Sequence, residues 1–98
     1  MKLAIKRVLK SYGQRIYYFM PAMGSFGKSG VPDFVCCVGG KFFAIEAKAD
    51  VDKNPPTELQ YKNLREIGVA GGVAVVIDAR SVDALDTYIK MALGEKQQ

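Results

Sequence analysis

The residues predict an α/β protein: a mixed four-stranded sheet flanked by helices, in the order helix, three strands, helix, strand, helix. Three observations carry this prediction. Gly39-Gly40 separates two strand-like runs, and such a pair is a strong hairpin signal because both central residues can take positive φ at little steric cost. An apolar run at 73–78 closely follows a helical segment, and a strand–helix–strand step implies a parallel crossover. Helical periodicity appears at both ends of the chain. With 98 residues, the chain is expected to form a single domain, 1–98.

Taken in order, residues 2–11 read as a helix with Leu3, Ile5, Val8 and Leu9 as its apolar stripe, ended by Gly13. Residues 15–20 are aromatic-rich and read as a strand. Residues 21–30, rich in Gly and Ser, read as a loop. The hairpin strands are 33–38 and 41–48. A polar loop ends at Pro55-Pro56, a helix spans about 58–67, and Gly71-Gly72 precede the strand at 73–78. The last helix starts after Ser81 and buries Leu85, Ile89, Ala92 and Leu93. Tyr17, Tyr18, Phe19, Met20, Met23 and Phe26 are more apolar surface than so small a core needs, and a second subunit would cover them. Both cysteines, Cys36 and Cys37, are expected to be small buried apolar residues.

Composition excludes much. There are no histidines, which removes Ser-His-Asp and Cys-His catalysis and His-ligated zinc or nuclease metals. Two adjacent cysteines cannot staple distant segments, and they point to a reducing, cytoplasmic setting. No apolar run is long enough to span a membrane, and the basic start lacks the apolar stretch of a secretory signal. The net charge of +4 is unevenly placed. Residues 1–32 hold Lys2, Lys6, Arg7, Lys10, Arg15 and Lys28 and no acid, whereas residues 33–98 hold eight bases and ten acids. A basic, aromatic-interleaved segment of this kind suits a polyanion. Phosphate contacts dominate affinity for DNA.

The hairpin carries the chemistry. With Gly39 and Gly40 as its two loop residues, Val38 faces Lys41 and Asp33 lies across from Glu46. Paired residues point the same way, so Asp33, Glu46 and Lys48 share one face, with Val35, Cys37, Phe42 and Ala44 as mostly apolar neighbours. Two carboxylates with Cβ atoms about 5 Å apart destabilise a sheet unless a cation lies between them. A hard divalent cation suits two carboxylates and a substrate phosphate. Lys48, roughly 6.6 Å beyond Glu46 along the strand, reaches a phosphate oxygen or a water on that cation.

Gly30-Val31-Pro32-Asp33-Phe34, eleven intervening residues and then Glu46-Ala47-Lys48 resembles the signature of the PD-(D/E)XK nuclease superfamily. The wording is similar to the VRR-NUC branch: a Gly-Val-Pro-Asp run, Phe-Ala-Ile-Glu-Ala-Lys, a Pro-Thr link and a helix carrying Gln60, over residues 24–78. The resemblance implies a restriction-endonuclease-like αβββαβ core with an added C-terminal helix. It implies a Mg²⁺- or Mn²⁺-dependent DNA endonuclease of bacteriophage or bacterial type, acting as a homodimer on branched DNA in the manner of Holliday junction resolvases. It makes Asp33, Glu46 and the Ala47 backbone carbonyl the metal ligands. Lys48 becomes the residue that positions water or stabilises developing charge, and Gln60 a neighbour of the site. The chain departs from the family twice. The first helix has no Glu, which leaves the number of metal ions open, and no Val-Arg-Arg run is present, the corresponding strand reading Val75-Val76-Ile77-Asp78.

Other motifs have plainer readings. Thr57-x-x-Gln60 is also a capping box. Lys62 lies on the same helix, within reach of a DNA backbone or simply solvated. Gly27-Lys28-Ser29 is not a phosphate-binding P-loop, since position 22 is Ala and Pro32 follows too soon; Lys28 is a candidate phosphate contact. The alternatives to a DNA nuclease are a non-catalytic nucleic-acid-binding module on the same fold, or a phosphodiesterase acting on RNA or mononucleotides. Loss of function in Glu46→Gln separates a catalyst from a binding module.

Overall fold

The computed structural model describes residues 1–22 and 28–95. Helix α1 (Lys2–Lys10) leads through a 3₁₀ turn at Gly13–Arg15 into β1 (Ile16–Phe19), followed by β2 (Phe34–Val38) and β3 (Lys41–Ala47). Helix α2 (Glu58–Val69), β4 (Val73–Ile77) and α3 (Val82–Ala92) follow. The sheet runs β1-β2-β3-β4; the first three strands are antiparallel neighbours and β4 is parallel to β3. This is the mixed four-stranded α/β sheet, flanked by helices and closed by a C-terminal helix, that the residue pattern predicts.

The glycine hairpin sets the register. Gly39 and Gly40 take φ of 59° and 80°, and Val38 pairs with Lys41. Gly39 has a second duty. A Cβ there would lie 2.7 Å from the Ala92 carbonyl, so the turn lets the end of α3 pack close. Gly13 does not end α1 directly; the helix stops at Lys10, with Ser11 as its cap.

The core lies on one face of the sheet. Phe34, Cys36 and Val38 from β2 and Phe43 and Ile45 from β3 are buried there. They pack with Ile5 and Leu9 of α1 and with Leu85 and Ile89 of α3. Leu3 does not join this stripe and is exposed, because at roughly 100° per residue it lies on the side of α1 away from Ile5. Tyr12 donates to the Asp86 carboxylate, tying the end of α1 to α3. Tyr18 and Met20, expected as surplus apolar surface, pack against this core. Met23 and Phe26 lie outside the described residues.

The opposite face is only partly covered. Helix α2 lies over β3 and β4, leaving Val35 half-buried and Cys37 and Phe42 exposed, Phe42 by 48%. The apolar neighbours expected around the charged trio are therefore only partly covered, and the expected burial of Cys37 is corrected. Both faces of β2 are apolar in sequence, and only the placement of the helices decides which one is covered. Among the described residues, no helix is long and apolar enough to cross a membrane.

Candidate metal centre

Asp33 lies one residue before β2 rather than inside it, yet the ladder register carries through. Phe34 pairs with Ile45, so Asp33 falls opposite Glu46. Asp33 Oδ2 accepts the Ala47 N–H at 2.8 Å, which replaces the ladder bond that the strand itself no longer provides. A residue's N–H and C=O leave an extended strand on the same side. The Ala47 carbonyl therefore emerges beside Asp33, opposite Pro32, which has no N–H to donate.

Glu46 is 2% exposed. Its Oε2 accepts from Gln60 Nε2 at 3.1 Å and meets Lys48 Nζ at 3.8 Å. Its Oε1 is buried without a hydrogen-bond partner among the described residues. Burial raises the carboxyl pKa to about 7, Asp33's charge pushes the same way, and Lys48 opposes both. A buried, unpartnered carboxylate oxygen is costly unless something meets it. A hard cation with oxygen ligands answers that need, so the residues present fit Mg²⁺ or Mn²⁺ held by Asp33, Glu46 and the Ala47 carbonyl. The donor set is sparse: among the described residues, no group of three or more His, Cys, Asp or Glu side chains is placed to hold a metal.

Gln60 caps α2 and also reaches Glu46. Its backbone N–H bonds Thr57 Oγ1, its side-chain oxygen accepts the Thr57 N–H, and its side-chain nitrogen holds Glu46. The capping box thus fixes the α2 N-terminus and aims Gln60 at the carboxylate.

Two positioning residues escape sequence reading. Buried Asn63, one turn beyond Gln60 on α2, donates to the carbonyls of Ser29 and Leu59. It thereby pins the segment that delivers Asp33. Gly30, at φ 74°, sits against Leu59 where any Cβ would clash. At the end of β4, buried Asp78 accepts the Val51 N–H and pairs with Arg80 at 3.0 Å. The Val51 bond first, then Arg80, hold its carboxyl well below the usual carboxylate range. This knot secures the loop that follows Lys48. Asn63 had a usable signal, a polar residue three positions after Gln60 on the same helix face. Asp78 had none, because its partner loop is remote in sequence.

The basic residues divide. Lys2 Nζ lies 3.6 Å from Asp33 Oδ1, at the site itself. Lys6 and Lys10 follow on the same side of α1, with Arg7 turned further round. Lys28 pairs with Glu66 on α2, and Lys62 is exposed on that helix. Arg15 stands apart. It pairs with Glu95 and lies over the Tyr12 ring, at the hairpin end of the sheet and opposite the end that carries Asp33. The structure therefore brings Asp33, Glu46, Ala47, Lys48, Gln60 and Lys2 together and leaves Arg15 out.

The chain matches no family model, no curated protein and no solved structure.

Proposed function

We propose that the chain is a Mg²⁺- or Mn²⁺-dependent nuclease that hydrolyses DNA phosphodiester bonds, a cytoplasmic homodimer acting on branched DNA. The observation that carries this reading is the buried Glu46, with one oxygen unpartnered, set across from Asp33 and beside Lys48. The resemblance of Gly-Val-Pro-Asp and Glu-Ala-Lys to the VRR-NUC pattern supports it.

A bound divalent cation supplies a nucleophile from water at neutral pH and polarises the phosphoryl oxygen. The chain does the rest. Ala47 N–H and Gln60 hold the two carboxylates in fixed orientations. Lys48, only 11% exposed, keeps an ammonium beside Glu46, where it stabilises charge developing on phosphate. Lys2, Lys6, Arg7 and Lys10 place a positive helix next to the cutting site for the DNA backbone, with Lys28 and Lys62 on the α2 side. Exposed Tyr17 and Phe19 on edge strand β1 are apolar surface that a second copy would cover.

The test is cleavage of a four-way junction, a duplex and a single strand with Mg²⁺, Mn²⁺ or EDTA, beside Glu46→Gln. Metal-dependent cutting that falls at least about 100-fold in the variant, some 3 kcal/mol of barrier, is the expected result. The sparse donor set favours one rival, a binding module that needs no metal. That reading requires junction binding without cleavage and affinity preserved in Glu46→Gln.

A further inference from the structure

Resting on that metal-site reading, we propose that Lys2 exchanges partners: it neutralises Asp33 in the metal-free protein and turns to a backbone phosphate of the substrate when a divalent cation takes Asp33. The two carboxylates are neutralised in unlike ways. Glu46 is met by Lys48, an ammonium almost closed off from water, and by Gln60. Asp33 has Oδ2 committed to the Ala47 N–H, while the ion pair of Oδ1 is with Lys2, whose side chain is 50% exposed. Lys48 cannot move away without leaving a charge buried. Lys2 can, because water replaces its contact at little cost and exposed pairs are weak.

The structure also offers Lys2 somewhere to go. A cleft of about 380 Å³ opens between the start of α1 and the end of β3, lined by Met1, Lys2, Leu3, Ala47, Lys48 and Ala49. Among the described residues, its charged side chains are Lys2 and Lys48, and no carboxylate lines it. It borders the site through Ala47 and Lys48, the residues that follow Glu46 directly. A lysine is a compact charge on a flexible four-carbon stem. Released from Asp33, Lys2 remains on the cleft wall, and two ammonium groups then face one phosphodiester phosphate. Metal and DNA binding are thereby coupled: each ligand removes an obstacle to the other.

Two measurements test the exchange. Titration calorimetry with Ca²⁺ and with Mn²⁺ compares the native protein, Lys2→Met and Asp33→Asn. The salt dependence of four-way-junction binding is then measured in Ca²⁺ and in EDTA for the native protein, Lys2→Met and Lys6→Met. Lys2→Met is expected to bind the metals about two- to fivefold tighter, the size of an exposed ion pair. It should lose about 0.9 units of the log–log salt slope, one phosphate contact, in Ca²⁺ and none in EDTA. Lys6→Met, one turn along, should show no such dependence on metal. Unchanged metal affinity in Lys2→Met, an equal slope loss with and without Ca²⁺, or the same metal dependence in Lys6→Met overturns the exchange and leaves the metal site standing. Absence of metal binding by the native protein, or unimpaired binding by Asp33→Asn, overturns the metal site and the exchange with it.

Discussion

Cys36 and Cys37 are adjacent in β2, yet Cys36 is buried in the core and Cys37 is exposed. The pair marks the difference between the two faces of the sheet. The face bearing Cys36 meets two helices, which close over Phe34, Val38, Phe43 and Ile45. The face bearing Cys37 meets one helix, which covers Ala44 and Glu46 and leaves Phe42 half-open. The first face holds the fold together. The second keeps a carboxylate dry at one end while leaving the rest of its surface available. Burial serves cohesion on one side and the electrostatics of one group on the other.

The largest effect expected from breaking this contrast is on stability. Phe34→Ala should cost about 3–5 kcal/mol in urea unfolding, as deletion of a buried ring leaves a cavity. Phe42→Ala, on the other face, should cost less than about 1 kcal/mol. Comparable losses in the two variants would erase the distinction between the faces.

Glu46 comes next. Its folded pKa of about 7 lies above that of an unfolded carboxylate, so the folded protein keeps a proton that the unfolded chain has released. The Glu46 contribution to stability of the metal-free protein should be largest below the unfolded pKa, fall as pH rises towards 7, and then level off. Asp33, Lys48 and Lys2 face this group: the Asp33 charge raises its pKa, and the two ammonium groups oppose that. Glu46→Gln should flatten the decline in thermal melts between pH 4.5 and 7, measured in EDTA.

Thr57→Ala removes the N-cap of α2 and should cost about 1 kcal/mol. Because Thr57 Oγ1 accepts the Gln60 backbone N–H, its loss loosens the turn from which Gln60 reaches Glu46 and should weaken metal-dependent cleavage, whereas an exposed change elsewhere on α2 such as Tyr61→Ser should not. The smallest effect needs no variant. A thiol reagent should modify Cys37 in the native protein at once. Burial pushes the Cys36 thiol up to about 12, so Cys36 should react only as the chain unfolds.

Much of this was legible because it is local. The Gly39-Gly40 turn dictates the register and so the meeting of Asp33 with Glu46, and Thr57-x-x-Gln60 announces its own cap. What was not legible depends on packing between remote segments. Val35 and Cys37 are as apolar as Cys36 and Val38, and alternation alone cannot say which set faces two helices. The Asp78–Val51 bond and the approach of Lys2 to Asp33 arise from how α1 and the loop after β3 dock, and no spacing in the chain encodes either.

Asp33, Glu46 and Lys48 all belong to one hairpin and its immediate flanks. Closing a two-residue turn costs little chain entropy, so these groups can meet as soon as that stretch has left the ribosome. Their shield arrives later with α2, and α3, half of the core's helical cover, follows later still. During synthesis, two carboxylates are therefore brought together before anything dry surrounds them. Water and free cations can neutralise them while the chain is still incomplete, and the cost of burying Glu46 is deferred until the helices close.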